Sequence, residues 1–227
     1  MSDISQSLAR VHARIRSAAT DAGRDPNTIR LLAVSKTKPE AMLREASAAG
    51  QRAFGENYLQ DALPKIAALE ALDIEWHYIG RIQSNKTREI AQHFAWVHGL
   101  DKLKHAQRLS EQRPPELPPL QCCIQVNLSG EASKGGVAPD QLPQLAEAVA
   151  ALPRLQLRGL MTMPDPHSSR AEQSQVFERL AQLREQLNTR GLQLDTLSMG
   201  MSGDLELAIA AGATLVRIGT DIFGARN

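Results

Sequence analysis

The chain closes on Thr196-Leu197-Ser198-Met199-Gly200-Met201-Ser202-Gly203-Asp204 and, one short amphipathic stretch later, on Leu215-Val216-Arg217-Ile218-Gly219-Thr220. Both segments begin as a short apolar run and end in small or hydroxyl-bearing residues, the pattern of a strand turning into a helix. Glycine lets an anion approach the backbone, and the first amides of a helix lack partners within it. Two such turns in succession read as a cradle for a phosphate group.

The same pattern recurs upstream. Short apolar runs at Leu31–Ser35, Arg52–Gly55, Trp76–Gly80, Trp96–Leu100, Cys122–Leu128 and Leu157–Met163 precede Thr196–Gly200 and Leu215–Gly219, which makes eight. Helical periodicity lies between them, clearest at Glu40–Ala49, Tyr58–Leu72, Asn85–Phe94, Gln141–Ala151, Arg170–Asn188 and Asp204–Ala211. Eight strands alternating with helices predict an α/β fold, a TIM-type (β/α)8 barrel forming a single domain over 1–227. An extra N-terminal helix, Ile4–Ala22, places Leu8, Val11, Ile15 and Ala18 on one face and should pack against the outside or base. The proline-rich Arg113–Pro119 is a stiff connection at the bottom. Ser129–Gly136 follows a strand and reads as a glycine-hinged flap over the top.

Composition narrows the function classes. The 227 residues carry 26 Lys plus Arg against 25 Asp plus Glu, with both signs scattered along the chain, so no electrostatic footprint for nucleic acid or an anionic membrane emerges. No stretch approaches the roughly 20 apolar residues of a membrane span, and the start resembles no export signal, which predicts a cytoplasmic protein. Cys122 and Cys123 are adjacent in an apolar run and suit reduced core thiols. No close pair among the six histidines sits at ligand spacing, so no metal site is expected.

In a TIM-type barrel, active groups lie at the C-terminal strand ends, and phosphate binds after strands seven and eight. Ser202 is expected to cap the helix Gly203–Ala211, with Gly200 and Gly203 opening the backbone; Gly219 and the Thr220 hydroxyl repeat the arrangement. Strand alternation turns Leu215, Arg217 and Gly219 inward, so Arg217 needs an acceptor inside the barrel: a structural ion pair or a cofactor's ring nitrogen. The first strand turns Leu32, Val34 and Lys36 inward, and Lys36 rises at the same rim, where a nearby Arg217 would lower its amine pKa. Lys38, Lys65, Lys102 and Lys104 read as surface lysines. Asn57 is either a donor to the ligand or a helix cap, and His77 reads as a satisfied core histidine. Met161, Met163 and Met201 read as packing. A phosphate cup facing a rim lysine, the amine that holds an aldehyde as an imine, points to pyridoxal 5′-phosphate (PLP).

These residues resemble the pyridoxal phosphate homeostasis protein family, whose single barrel is similar to the N-terminal domain of alanine racemase. The resemblance rests on Leu31–Pro39 around Lys36, Phe54–Asn57, Trp76–Lys86, Arg158–Met163, Ser198–Asp204 and Arg217–Gly224, and it spans almost the whole chain. It implies that Lys36 holds PLP as an internal aldimine, that Ser202, Gly219 and Thr220 bind its phosphate, and that Arg217 faces its ring. The implied role is to bind, buffer and deliver the cofactor to PLP-dependent client enzymes, keeping vitamin B6 and amino-acid pools balanced with little or no turnover.

An arginine at the ring nitrogen discourages its protonation and weakens the ring as an electron sink, which argues against transamination. Racemisation needs acid/base groups on both faces of the substrate carbon. A second domain supplies one of them in alanine racemases; here Tyr58 and Tyr78 are the only tyrosines. The alternative is therefore a single-domain PLP-dependent amino-acid racemase using one of them. A third class is a barrel enzyme in which Lys36 forms its imine with a phosphorylated substrate. Lacking a racemase-type second domain, the protein is expected to be a monomer.

Overall fold

The computed structural model describes residues 3–129 and 135–225. A helix, α1 (Asp3–Asp21), and a 3-10 turn (Pro26–Thr28) lead into the alternation β1 (Arg30–Val34), α2 (Glu40–Ala48), β2 (Ala53–Glu56), α3 (Leu59–Ala68), β3 (Glu75–Tyr78) and α4 (Thr87–His93). It continues with β4 (Trp96–Leu100), α5 (Leu103–Gln112), β5 (Leu120–Gln125), α6 (Leu142–Ala150), β6 (Leu155–Met161) and α7 (Arg170–Asn188). The last turns are β7 (Thr196–Ser198), α8 (Leu205–Ala210), β8 (Leu215–Ile218) and α9 (Thr220–Phe223). The strands close a barrel in sequence order, and β8 pairs in parallel with β1, placing Leu32 opposite Arg217. The expected (β/α)8 barrel with an added N-terminal helix is what forms.

Two layers of apolar contact hold it. Outward residues such as Ala33, Phe54, Val97, Cys122, Leu160, Leu197, Val216 and Ile218 join the buried helix faces in one continuous core. The buried face of α1 comprises Ile4, Leu8, Val11, Ile15 and Ala18, packed on α8 and α9 outside the barrel. Inside the strands lie two small apolar clusters, Leu32 with Ala53 and Leu215, and Trp96 with Cys123 and Met161. The rest of the interior is polar, which strand alternation alone does not announce. Both thiols are buried and free, and burial pushes the Cys122 thiol up to about 12, so neither is reactive at neutral pH.

Several boundaries differ from expectation. The helix expected over Tyr58–Leu72 ends at Ala68, because Leu69 leaves helical geometry and the amide of Leu72 donates to Leu69 O in a turn. The fifth strand starts at Leu120 and leaves the barrel after Gln125, with Val126 bridging Val137 instead. The register slips between Val97 and Leu100 on β4, so His98 faces inward and Leu100 outward although they are two residues apart. The Arg113–Pro119 connection does lie at the floor, where Arg113 is buried and donates to Ala91 O, Phe94 O and Pro118 O. The expected flap, Ser129–Gly136, falls mostly outside the described residues.

Candidate functional site

A cavity of about 250 Å³ opens at the C-terminal ends of the strands. Lys36, Asn57, Ser202, Arg217, Gly219 and Thr220, contributed by separate loops and strands, all line it. The apolar part of its wall comes from Val34, Ile79, Met161, Met163 and Met201.

Each polar group reaches this cavity for a local reason. Lys36 follows β1 at a tight turn in which the Lys38 amide donates to Ser35 O and Thr37 takes φ 63°. A β-branched residue in the left-handed region costs about 1–3 kcal/mol, so the surroundings must hold this turn. Beneath it, Lys65 is buried and not on the surface as its charge suggested: it sits on the inner face of α3, and Nζ donates to Ser35 O and Glu56 Oε1, both at 2.8 Å. Ser35 Oγ donates to the same carboxylate at 2.6 Å. Burial raises the Glu56 pKa, opposed by the hydrogen bonds from Lys65 and Ser35. The cluster ties the ends of β1 and β2 together, one residue before Lys36 and one before Asn57. Lys38 is half-buried at the cavity edge, where Nζ donates to Ala225 O at 2.7 Å.

Ser202 does not cap α8. The chain makes a turn from Met201 to Asp204, whose Oδ1 accepts the Met201 amide at 2.5 Å, and Asp204 takes the capping position. Burial raises the Asp204 pKa, opposed by the Met201 amide and the Arg217 charge. Ser202 is thereby left on the cavity wall beside Gly203. A Cβ built on Gly203 meets nothing within 4 Å, so its position faces open space. Gly200 serves the turn instead of the ligand: its φ is 97°, and a Cβ there would lie 2.6 Å from Ala208 Cβ, so glycine is required for the turn and for the approach of α8. Behind the two turns, Arg14 of α1 donates to Asp221 at 2.6 Å and to Ser202 O at 3.1 Å, and it also pairs with Glu206. One guanidinium thus joins the two halves of the cup and neutralises the carboxylates behind it. Sequence reading missed Arg14, which occupies the polar side of an amphipathic helix.

Arg217 is buried, with Nη1 donating to Ser198 O at 2.6 Å and to Ser198 Oγ at 2.8 Å, and Nη2 donating to Thr162 O at 3.0 Å. Burial brings its pKa down to about 10, partly offset by Asp204, so it stays charged at neutral pH. Of the two readings open for it, no carboxylate ion pair forms among the described residues; carbonyl and hydroxyl oxygens accept from Nη1 and Nη2. Asn57 is not the cap of α3, which is Tyr58, and its Oδ1 is buried without a hydrogen-bond partner. Such an atom costs about 1–3 kcal/mol unless a ligand completes it. Tyr58 is 54% exposed, Tyr78 is buried with its hydroxyl donating to Arg81 O, and neither lines the cavity. Among the described residues no cluster of His, Cys, Asp or Glu could hold a metal, and no helix is long and apolar enough to cross a membrane.

A parallel barrel with a rim lysine, an inward arginine and a two-turn cup defines a protein of the alanine racemase N-terminal class, and the family described as "Alanine racemase, N-terminal domain" matches residues 6–227. Over 227 residues the chain is 65% identical to the pyridoxal phosphate homeostasis protein of Pseudomonas aeruginosa, covering 100% of this chain and 97% of that one. It is 54% identical over 230 residues to the protein of the same name from Escherichia coli, covering 100% and 98%. PipY of Synechococcus elongatus, solved with PLP bound, superimposes with a TM-score of 0.88 at 37% identity, covering 98% of this chain and 100% of that one. The chain belongs to the pyridoxal phosphate homeostasis protein family.

Proposed function

We propose that this chain binds PLP in the strand-end cavity and contributes to vitamin B6 and amino-acid homeostasis by holding and releasing it to client enzymes, without significant turnover. The observation that carries the reading is the convergence of Lys36, Asn57, Ser202, Arg217, Gly219 and Thr220 on one cavity. The residues fit the group. Ser202, Thr220 and the backbone at Gly203 and Gly219 hold its phosphate, and the unpartnered Oδ1 of Asn57 supplies a polar contact that only a ligand completes. The three methionines give a polarisable wall suited to a flat ring. When bound, the group supplies an aldehyde that an amine can capture.

Lys36 is the residue that captures it: Nζ forms a carbon–nitrogen double bond to the aldehyde carbon as the carbonyl oxygen leaves as water. Arg217 faces the ring and, being charged, opposes protonation of a nearby ring nitrogen, which suits retention better than carbanion chemistry. Neither tyrosine reaches the cavity wall, so the described residues offer no tyrosine as the second base of the racemase reading. The test is borohydride reduction of the protein with PLP, followed by mass mapping. Label confined to Lys36, with single-enantiomer alanine left unchanged by the pure protein, is expected. No label, or label spread over surface lysines, would overturn the site; racemisation of alanine would overturn the absence of turnover.

A further inference from the structure

A line of hydrogen bonds runs through the inside of the barrel from its floor to Arg217. Glu75 opens β3 at the floor, where Arg30 Nη2 donates to its Oε1 at 2.5 Å. His77 Nε2 lies 2.7 Å from the same oxygen, and His77 Nδ1 lies 2.9 Å from His98 Nε2. His98 Nδ1 is 2.7 Å from Ser198 Oγ, which accepts from Arg217 Nη1 at 2.8 Å. His77, His98 and Ser198 are fully buried, and Trp96 stacks on His77 with ring centroids 5.4 Å apart and planes 7° apart.

The chemistry of the two ends, together with neutral imidazoles, fixes the direction of every bond. An ionised carboxylate only accepts, so His77 Nε2 carries a proton and donates to Glu75. A neutral His77 then accepts at Nδ1, so His98 donates from Nε2 and accepts at Nδ1 from the Ser198 hydroxyl. Ser198 in turn accepts from Arg217, which only donates. The charged and titratable groups around the line are Arg30 and Glu75 at the floor, with Arg158 near Trp96 and its partner Asp195, and Arg217, Cys123 and Asp204 towards the mouth. Burial, aided by Arg30 at both rings and by Arg217 at His98, keeps the two imidazoles neutral and at His77 outweighs the opposing Glu75 hydrogen bond and charge. Apolar side chains fill such an interior at less desolvation cost, so a polar line is tolerated only when it is completely satisfied, as here.

We propose that Glu75, His77, His98 and Ser198 are positioning residues for Arg217, forming a one-way line of donors that sets the guanidinium's orientation from the opposite end of the barrel. The inference rests on the PLP reading only for the identity of the ligand that Arg217 meets. Its consequence is reciprocal: a ligand seated against Arg217 alters the hydrogen bonding of His77 at the floor.

Nitrogen-15 NMR of histidine-labelled protein tests it. Without ligand, both rings are expected to be neutral with Nε2 protonated and Nδ1 bare. The opposite tautomer at either ring, or a His77 imidazolium at neutral pH, would overturn the proposal without any variant having to fold. Adding PLP is then expected to move the His77 resonances in the wild type. In Ser198→Ala that response should vanish while PLP affinity falls about tenfold, the equivalent of about 1.4 kcal/mol for a charge-assisted bond, and Ser198→Thr should restore both. An unchanged His77 response in Ser198→Ala would show a merely structural line. If PLP fails to label Lys36, the PLP reading falls, and the ligand-free comparison decides for the line: His77 shifted by Ser198→Ala supports it, and His77 unmoved overturns it.

Discussion

Lys65 decides more than its position in the sequence suggests. It is 9% exposed, and its ammonium is the cationic partner of Glu56, a carboxylate that is 0% exposed and retains one oxygen without a partner. Removing one member of a buried ion pair leaves an uncompensated charge and costs about 3–5 kcal/mol, well beyond the net worth of the pair itself. Lys65→Met is therefore expected to lower unfolding stability by about 3 kcal/mol, measured by urea denaturation, and adding Glu56→Gln should recover part of the loss. Additive losses in the double variant would show that the two side chains do not act as a unit. Because the pair binds Ser35 O, one residue before Lys36, the Lys65→Met protein should also be labelled at Lys36 more slowly by PLP and borohydride when compared well below its unfolding midpoint.

At the scale of the elements, the turn between β7 and α8 sets the shape of the cup, and Gly200 sets the turn. A Gly200→Ala side chain would need φ 97° and would stand 2.6 Å from Ala208 Cβ, so α8 must move outward or the turn must rearrange. The expected cost is about 2–3 kcal/mol from strain and overpacking together, read as a lower thermal midpoint, with weaker PLP binding because Ser202 and Gly203 move with the turn. Gly203→Ala meets no neighbouring atom, so its effect should be confined to ligand affinity with the midpoint unchanged; equal destabilisation in both variants would contradict this division of roles. These turns also show how far the sequence alone is legible. Strand-end placement is legible because apolar runs, each followed by a polar turn and an amphipathic segment, repeat eight times, and the inward parity of Leu32, Val34, Leu215 and Arg217 follows from alternation alone. The cap is not legible, since Ser202 and Asp204 are both good capping residues two positions apart, and the backbone decides for Asp204, whose carbonyl accepts the Ala208 amide while its side chain closes the preceding turn on Met201. Lys65 reads wrongly as a surface residue because its charge conceals its place three residues after Ala62 on the buried face of α3. His98 escapes notice, although a histidine two residues after Trp96 in an apolar strand carries the inward parity; its meaning depends on His77 being beside it, which no single strand encodes.

For the whole molecule, the polar barrel interior makes stability depend on pH in a definite direction. His77 and His98 have folded pKa values below the ordinary 6.5, burial being the main cause in both, so each remains neutral in the fold under conditions where the unfolded chain takes up a proton. Their contribution is complete above the unfolded pKa and is lost as pH falls towards the folded one. His12, on the exposed side of α1 and lowered by desolvation and by Arg16, adds the same sign, as does His105, lowered chiefly by burial. Burial opposes ionisation of Glu75, but the hydrogen bonds from His77 and Arg30 outweigh it and bring the carboxyl down to about 2, so its contribution disappears only at much lower pH. The histidine slope is thus read just below pH 6.5, where Glu56 and Asp204, whose pKa values burial raises, oppose it, so the comparison with a histidine variant isolates the ring's own share. Each proton taken up on unfolding lowers stability by about 1.4 kcal/mol per pH unit, so the barrel pair contributes at most about 2.7 kcal/mol per unit. Urea unfolding from neutral to about pH 5 measures this slope. His98→Gln, which retains a donor and an acceptor without a titrating group, should flatten it by about one proton's worth even if its absolute stability is lower. A wild-type curve that stays level across that window would mean that the pair is already charged in the fold, and the acceptor role assigned to Nδ1 of His77 and of His98 would then fail.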